Sequence, residues 1–405
     1  MGNPLATDGQ AGTARGVFRR HVLYIPGYDP FPPRRYRELY RSEGKAQAAI
    51  SGYELALRSR PGETYGWQVQ ARMDGREIEA EVEVLVWSDL VKGSMSRGIA
   101  GTYLLLARTA WVYVASGALW RLVRLRKGPM IAALYPAVVL VLQGLAALLA
   151  GALTVWLLPW TGLDWVLGAA VVWAVLAGFR QFDRRLYVYY LMHDFAFTAS
   201  GGGAYPAALE ARLAVFRSRV RAALDSGVDE VLVVGHSSGV HIGVSVLADL
   251  VREGLPGRPK LGFLSLGHAV PMASFLPGAQ RLRADLRCLS ESADLAWVDV
   301  TAPSDGCSFA LCDPVAVSGV ATGAQRWPLV ISAAFTQTLS PERWQALKRQ
   351  YFRLHFQYLC AFDRPGDYDY FQITAGPISL RKRYRSRRPS ASRITEAHSP
   401  YRDAA

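Results

Sequence analysis

Short apolar runs alternate with amphipathic segments in the N-terminal part of the chain. HVLYIPGYDP (21–30) is rich in β-branched and aromatic residues and ends at Pro-Gly, which predicts a buried strand followed by a loop. Residues 32–59 are predicted to be helical, and AEVEVLVWSDL (80–90) to be a second strand. The second strand mixes alternating with continuous apolar positions, which is typical of the interior of a mostly parallel sheet.

The same alternation returns in the C-terminal half, after the glycine-rich joint TASGGGAYP. The predicted elements are a helix at 207–227, the strand EVLVVG, a helix at about 239–253, a strand at 261–267, a helix near 278–290 and a strand at 295–300. Strands that alternate with helices predict an α/β fold with a doubly wound, mostly parallel sheet.

Three apolar stretches interrupt this pattern between residues 99 and 179. Residues 137–158 carry no charge and at helical rise extend about 33 Å, close to the bilayer core of about 30 Å. We therefore predict one transmembrane helix at about 130–158 and a shorter one at 163–179. Residues 99–120 contain Arg108 and are predicted to lie along the membrane interface, where this side chain stays in water.

Charge on the flanking segments predicts the topology. RLVRLRKG (121–128) and RQFDRR (180–185) are basic, whereas PWTGLD (159–164) is not, so the positive-inside rule places both flanks in the cytoplasm. The result is a two-helix hairpin in the inner (cytoplasmic) membrane with both termini in the cytoplasm. The alternative is a buried helical pair in a soluble protein.

Composition narrows the classes of partner. The 405 residues are 51% hydrophobic with a formal net charge of +13, and eight basic against two acidic residues lie in the tail 381–405. Basic residues gathered at the tail and beside apolar segments favour a lipid bilayer as partner over nucleic acid. The tail is otherwise interpreted as a solvated segment. Four irregularly spaced cysteines predict neither a disulfide framework nor a metal site, and we expect no cofactor.

These features divide the chain into four parts: an N-terminal arm (1–19) without an export or lipidation signal, an α/β domain in two pieces (20–98 and 186–376), a membrane-associated insertion (99–185) and a basic disordered tail (377–405).

The segment GHSSG places Gly235, Ser237 and Gly239 in the spacing G-x-S-x-G, with His236 as its second residue. Small flanking residues allow a sharp strand-to-helix turn that presents the serine hydroxyl at the edge of a sheet. The pattern by itself has little specificity, but an apolar strand precedes it here and an apolar-periodic helix follows.

In this order of elements the sequence resembles the α/β-hydrolase superfamily of serine hydrolases, over residues 20–90 and about 205–375. The resemblance implies that Ser237 is the nucleophile and that the backbone amide of Ser238 is one oxyanion-hole donor. The turn YIPGYD resembles the one that supplies the second donor, which would be the amide of Tyr28. Pro-Gly replaces the commoner His-Gly there, and a backbone amide tolerates this change.

The family's order of serine, acid and histidine restricts the other two catalytic residues. Of the seven histidines, only His355 and His398 follow any plausible acid, and His398 lies in the basic tail. His355 is therefore the candidate general base, although its helical flanks also suit a structural histidine. Asp305 lies in a loop after a strand, where the family places its acid, and Asp299, within the strand, is the alternative.

The sequence thus predicts a membrane-anchored serine hydrolase that cleaves a lipid-like or other acyl ester. A non-catalytic membrane scaffold that retained a hydrolase fold is the alternative. The sequence carries no prediction of oligomeric state.

Overall fold

The computed structural model describes residues 18–404 except 61, 63, 159–161, 256, 258 and 259, so most of the predicted N-terminal arm lies outside the described residues. An eight-stranded sheet has the order β2-β3-β4-β1-β5-β6-β7-β8. The strands are β1 (Phe18–Ile25), β2 (Glu54–Ser59), β3 (Gly66–Met73), β4 (Arg76–Val84), β5 (Glu230–His236), β6 (Lys260–Leu266), β7 (Leu295–Thr301) and β8 (Leu329–Ser332). The pairs β2–β3 and β3–β4 are antiparallel and the others parallel.

Helices cover both faces of this sheet and form an insertion after β4. The first part of the chain contributes α1 (Arg34–Ser51). The insertion contains α2 (Ser88–Ser94), α3 (Ile99–Ala115), α4 (Ala118–Leu125), α5 (Lys127–Leu157), α6 (Asp164–Gln181), α7 (Asp183–Leu186) and α8 (Val188–Ala199). The remainder contributes α9 (Ala207–Leu224), α10 (Gly239–Glu253), α11 (Val270–Ser274), α12 (Gln280–Glu291), α13 (Pro314–Val317), α14 (Phe335–Thr338), α15 (Pro341–Leu347), α16 (Tyr351–His355), α17 (Tyr370–Ala375) and α18 (Leu380–Arg383).

The two faces of the sheet bury separate apolar clusters. Alternate side chains of β5 supply both: Leu232 and Val234 pack with α1 and α17, whereas Val231 and Val233 pack with α9, α10 and α12. Burial on both faces explains the continuous apolar runs of the central strands. The fold is therefore α/β with a mixed, mostly parallel sheet, as the alternation of elements predicts.

Two parts of this sheet differ from the sequence prediction. The helix predicted over 32–59 ends at Ser51, because Gly52 takes a left-handed conformation (φ 71°) and the chain continues as β2. The short strand β8 and the hairpin strand β3 were not predicted. Strand β2 lies at the sheet edge and keeps much of its surface in solvent, so its sequence lacks the apolar run of an interior strand.

The insertion is built around a hairpin of α5 and α6. Gly151 and Gly168 face each other across it: a Cβ on Gly151 would lie 2.6 Å from Val172 Cγ2 and 2.9 Å from the Gly168 carbonyl oxygen. Among the described helices, only α5 is long and apolar enough to cross a membrane. Many large apolar side chains of α5 and α6 point outward: Leu145, Leu148, Leu149, Leu153, Trp156, Trp165 and Trp173.

The helix predicted along 99–120 is divided into two. Gly117 takes a left-handed conformation (φ 71°) between α3 and α4, so the chain changes direction there. Arg108 lies on α3 and is exposed.

The tail was predicted to be disordered, and the structure corrects this for residues up to 404. Its backbone forms a bridge between Ile394 and Cys312, and Asp403 pairs with the buried Arg283 at 2.7 Å. Leu380 is also buried against the sheet. Composition alone predicted a solvated tail, because the residues that make these three contacts are too far apart in the sequence to form an apolar run.

We predict that Gly151→Ala destabilises the hairpin by about 1–3 kcal/mol, since the new methyl group would meet backbone and a β-branched side chain. Gly178→Ala on α6 is the matched control, because a Cβ there meets nothing within 4 Å. Thermal unfolding of the detergent-solubilised protein measures both. Equal melting temperatures for the two variants would contradict the predicted close approach.

Candidate functional site

The candidate site lies where the sheet reverses its direction of growth. Strand β1 pairs with β4 on one side and β5 on the other, so the loops after β1 and β5 leave the same carboxyl edge in opposite directions. Such a switch point is where open α/β sheets bind ligands. Here the two loops nearly touch: a Cβ on Gly27, after β1, would lie 3.0 Å from Ser237 Cβ.

Ser237 occupies a sharp turn between β5 and α10. Its φ of 56° is unusual for a residue with a side chain. The two glycines of the motif make this turn possible: a Cβ on Gly239 would lie 2.3 Å from the Ile25 carbonyl oxygen, and one on Gly235 would lie 2.9 Å from that of Gly239. Ser237 itself is half-buried and borders a cavity. The spacing G-x-S-x-G therefore forms the strained strand-to-helix turn that it predicts.

The two predicted oxyanion donors, the amides of Tyr28 and Ser238, lie in these adjoining loops. The Tyr28 amide donates a hydrogen bond to Ser238 Oγ at 2.8 Å. Tyr190 of α8 in turn donates to the Tyr28 carbonyl, which ties this loop to the insertion. In this arrangement the Ser238 hydroxyl occupies the Tyr28 amide.

Asp305 and His355 form a buried pair. His355 Nδ1 lies 2.8 Å from Asp305 Oδ2, and the same oxygen accepts a hydrogen bond from the Tyr358 hydroxyl at 2.9 Å. The Cys307 amide donates to the other carboxylate oxygen at 2.9 Å. Burial opposes ionisation of Asp305, but the charge of His355 and these hydrogen bonds hold the pKa of Asp305 below its ordinary value. The carboxylate is thus ionised and directs Nε2 of His355 away from itself.

His355 ends the short helix α16, and two neighbours position it. His236 Nε2 lies 3.0 Å from the His355 carbonyl oxygen, and because a carbonyl only accepts, this nitrogen donates. Burial and the charge of His355 lower the pKa of His236 to about 3, so His236 stays neutral. Gly267 (φ 55°) leaves room for this segment, since a Cβ there would lie 3.1 Å from His355 Cε1. His236 therefore helps to position the backbone of His355.

Asp299, the alternative acid, has different partners. It lies within β7, accepts a hydrogen bond from the Ser265 hydroxyl at 2.6 Å and is fully buried. Burial raises the pKa of Asp299 to about 8. His268 Nε2, rather than His355, is the histidine nitrogen near its second oxygen, at 3.7 Å.

Ser237 and His355 line one cavity of about 90 Å³. No hydrogen bond joins them in the described part of the chain, and such bonds often tighten only when substrate is bound. The insertion forms the roof of this cavity through Pro129 and Ala132 at the base of α5 and Leu191, Asp194 and Phe195 of α8.

Asp194 was missed by the sequence reasoning. It is a half-buried carboxyl group in this otherwise largely apolar roof, and burial, partly offset by the charge of His355, raises the pKa of Asp194 to about 7. The available signal was a single acid in the apolar segment YVYYLMHDFAFTA. Tyr358 was missed too, because nothing in the local sequence links it to Asp305.

A metal ion would find three donors here, since side-chain atoms of Asp305, Cys307 and His355 lie within 4.8 Å of one another. The donor chemistry fits poorly. Burial raises the pKa of the Cys307 thiol well above its ordinary value, whereas metal ligation needs a thiolate, and Asp305 and His355 already bind each other.

No known protein family, curated protein or solved structure matches the chain. Its α/β fold and mostly parallel sheet are compatible with the α/β-hydrolase superfamily, so interpretation of the site depends on its own geometry.

We predict that Asp194→Asn changes how stability depends on pH. With its pKa raised to about 7, folded Asp194 keeps a proton that the unfolded chain releases above about pH 4, so wild-type stability falls as pH rises between these values. The Asn variant does not titrate at this position, so its stability does not fall with rising pH for this reason. Its free energy of unfolding relative to wild type should rise from about pH 4 to about pH 7 and then level off. Denaturant titrations across this range test it, and a constant difference would contradict it.

Proposed function

We propose that the protein is a serine hydrolase that cleaves acyl esters, with Ser237 as nucleophile, His355 as general base and Asp305 as the acid that orients it. The observation that carries this proposal is the convergence of the buried Asp305–His355 pair and the strained Ser237 turn on one cavity. Ser237 follows β5, Asp305 follows β7 and His355 ends α16, so separate segments of the chain supply the three side chains.

The proposed reaction has two balanced halves. Ser237 Oγ attacks the ester carbonyl carbon while its proton passes to His355 Nε2, and the amides of Ser238 and Tyr28 stabilise the resulting oxyanion. Collapse of this tetrahedral intermediate breaks the bond between the carbonyl carbon and the alcohol oxygen, and His355 gives its proton to the leaving alcohol. In the second half, a water molecule gives a proton to His355 and attacks the acyl-enzyme. The bond to Ser237 Oγ then breaks, His355 returns the proton to Ser237, and the carboxylic acid is released. Asp305 remains ionised and stabilises the imidazolium.

The same proposal places α5 and α6 across the cytoplasmic membrane as a hairpin, with the α/β domain and both termini in the cytoplasm. The length and composition of α5 and the outward-facing apolar side chains of both helices support it. The base of α5 roofs the cavity, so a lipid-like ester would reach Ser237 close to the bilayer surface.

A non-catalytic membrane scaffold is the second candidate function. Two observations favour it: no hydrogen bond joins Ser237 to His355 within the described residues, and Ser238 occupies the Tyr28 amide. Against it stands the ionised, fully hydrogen-bonded Asp305 beside His355, which a scaffold has no need to keep.

We predict that a fluorophosphonate probe labels the wild-type protein in membranes and that Ser237→Ala abolishes labelling. His355→Ala should slow labelling by at least about a hundredfold, because the serine then lacks its base. Ser218→Ala is the matched control, since it removes an exposed serine hydroxyl of α9 that bonds only to the Val215 carbonyl and does not line the cavity. Absence of labelling in folded wild-type protein would overturn the hydrolase proposal in favour of the scaffold.

We further predict that Asp305→Asn lowers the labelling rate by roughly a thousandfold, since the neutral amide neither orients nor stabilises the imidazolium. Asp299→Asn should leave the rate within about threefold of wild type, because Asp299 contacts Ser265 instead. Comparison of the two labelling rates identifies the acid. The opposite ranking would assign that role to Asp299.

A further inference from the structure

A groove of about 1550 Å³ adjoins the catalytic cavity and opens where α6 ends. The two share the wall residues Asp29, Tyr190, Phe352 and Phe356. On its far side the groove is lined by the C-terminal turns of α6, including the exposed Trp173, and by the segment just before α3. A molecule that occupied the groove would thus extend from the proposed membrane surface to Ser237.

Two arginines that line this groove have no carboxylate partner within the described part of the chain. Arg97, before α3, and Arg180, at the end of α6, form no ion pair with any described residue, and both act electrostatically on His193. The groove also contains four carboxylates. Asp29 pairs with Arg35, Glu38 with Arg41 and Glu43 with Arg343, whereas Asp183 accepts from the Tyr189 amide and its charge also acts on His193.

Two buried polar atoms in the same wall also lack partners. Tyr189 and His193 lie on α8, are 7% and 3% exposed, and leave the Tyr189 hydroxyl and His193 Nε2 without a hydrogen bond. His193 Nδ1 donates to the Tyr189 carbonyl at 2.7 Å, so Nε2 is an acceptor. Burial and the charges of Arg97 and Arg180 lower the pKa of His193, which keeps the ring neutral. Buried polar atoms of this kind are satisfied by a bound water molecule, an ion or a ligand.

We propose that Arg97, Arg180, Tyr189 and His193 bind the headgroup of an anionic phospholipid that carries a hydroxyl group beside its phosphate. The two guanidinium groups and the Tyr189 hydroxyl donate to phosphate oxygens, and His193 Nε2 accepts from the headgroup hydroxyl. The lipid, rather than a soluble phosphate, is the occupant because the groove extends from the end of the apolar helix α6 to the cavity that contains Ser237.

The part of this inference that concerns cleavage of the bound lipid rests on the proposed ester hydrolysis. With the headgroup in the groove, an acyl ester of the same lipid lies toward Ser237. Cleavage would consume one water molecule and yield a fatty acid and a lysophospholipid. Headgroup binding itself requires no reaction, so it can be tested separately from catalysis.

The experiment measures binding of dihexanoyl phosphatidylglycerol, a soluble short-chain phospholipid, to the full-length Ser237→Ala protein in neutral detergent by titration calorimetry. Two variants are compared with this protein in the same Ser237→Ala background: the double variant Arg97→Gln/Arg180→Gln and the single variant Tyr189→Phe. Arg185→Gln is the matched control, because it removes an exposed arginine five residues beyond Arg180 that does not line the groove. Thermal unfolding verifies that each variant is folded.

We expect the double arginine variant to weaken binding by at least about tenfold, Tyr189→Phe by about threefold to tenfold, and Arg185→Gln by less than twofold. Dihexanoyl phosphatidylcholine, which has neither net negative charge nor a hydroxyl group, should bind at least about tenfold more weakly. Equal binding of the two lipids, or unchanged binding in the folded double variant, overturns the inference. So does competition by glycerol phosphate at equal affinity, which would indicate a soluble phosphate ligand. Loss of fluorophosphonate labelling alone would leave the headgroup site standing and remove only the hydrolysis.

Discussion

The close approach of the loops after β1 and β5 is the constraint on which the site depends. Ser237 reaches its left-handed conformation only because Gly27, Gly235 and Gly239 leave no side chain between the two backbones. The energy stored there is on the order of 1–3 kcal/mol and is maintained by the buried strands on either side. Central strands with apolar side chains on both faces supply that rigidity, so the sheet and the turn are parts of one arrangement.

The helices of the insertion cover the cavity at the carboxyl edge of the sheet. Helix α8 and the base of α5 close the cavity above Ser237, and the Tyr190 hydroxyl bonds directly to the loop that carries the Tyr28 amide. The apolar hairpin and the candidate site are therefore mechanically connected. Asp194 faces a largely apolar and aromatic cavity, whereas His193 faces a groove that also contains Arg97 and Arg180.

Sequence patterns predicted what depends on local periodicity. The strand, turn and helix around Ser237 and the apolar stretch of α5 were readable because burial on one or both faces leaves a regular trace. Edge strand β2 and the ordered tail were not, since their contacts are few and distant in the chain. Asp305 and His355 were chosen by chain order within a resemblance, whereas Tyr358 and Asp194 become visible only when separate segments meet in space.

Helix α8 forms a wall shared by the groove and the cavity: consecutive residues, His193 and Asp194, line the groove and the cavity respectively. If the proposed functions of both hold, a substitution on this helix alters ligand binding and catalysis together, and kinetic constants measured on such variants will not separate the two. Arg97 and Arg180 approach the groove from other elements and offer cleaner genetic access to it. For the same reason, random mutagenesis of α8 should yield compound phenotypes more often than mutagenesis of the groove's outer rim.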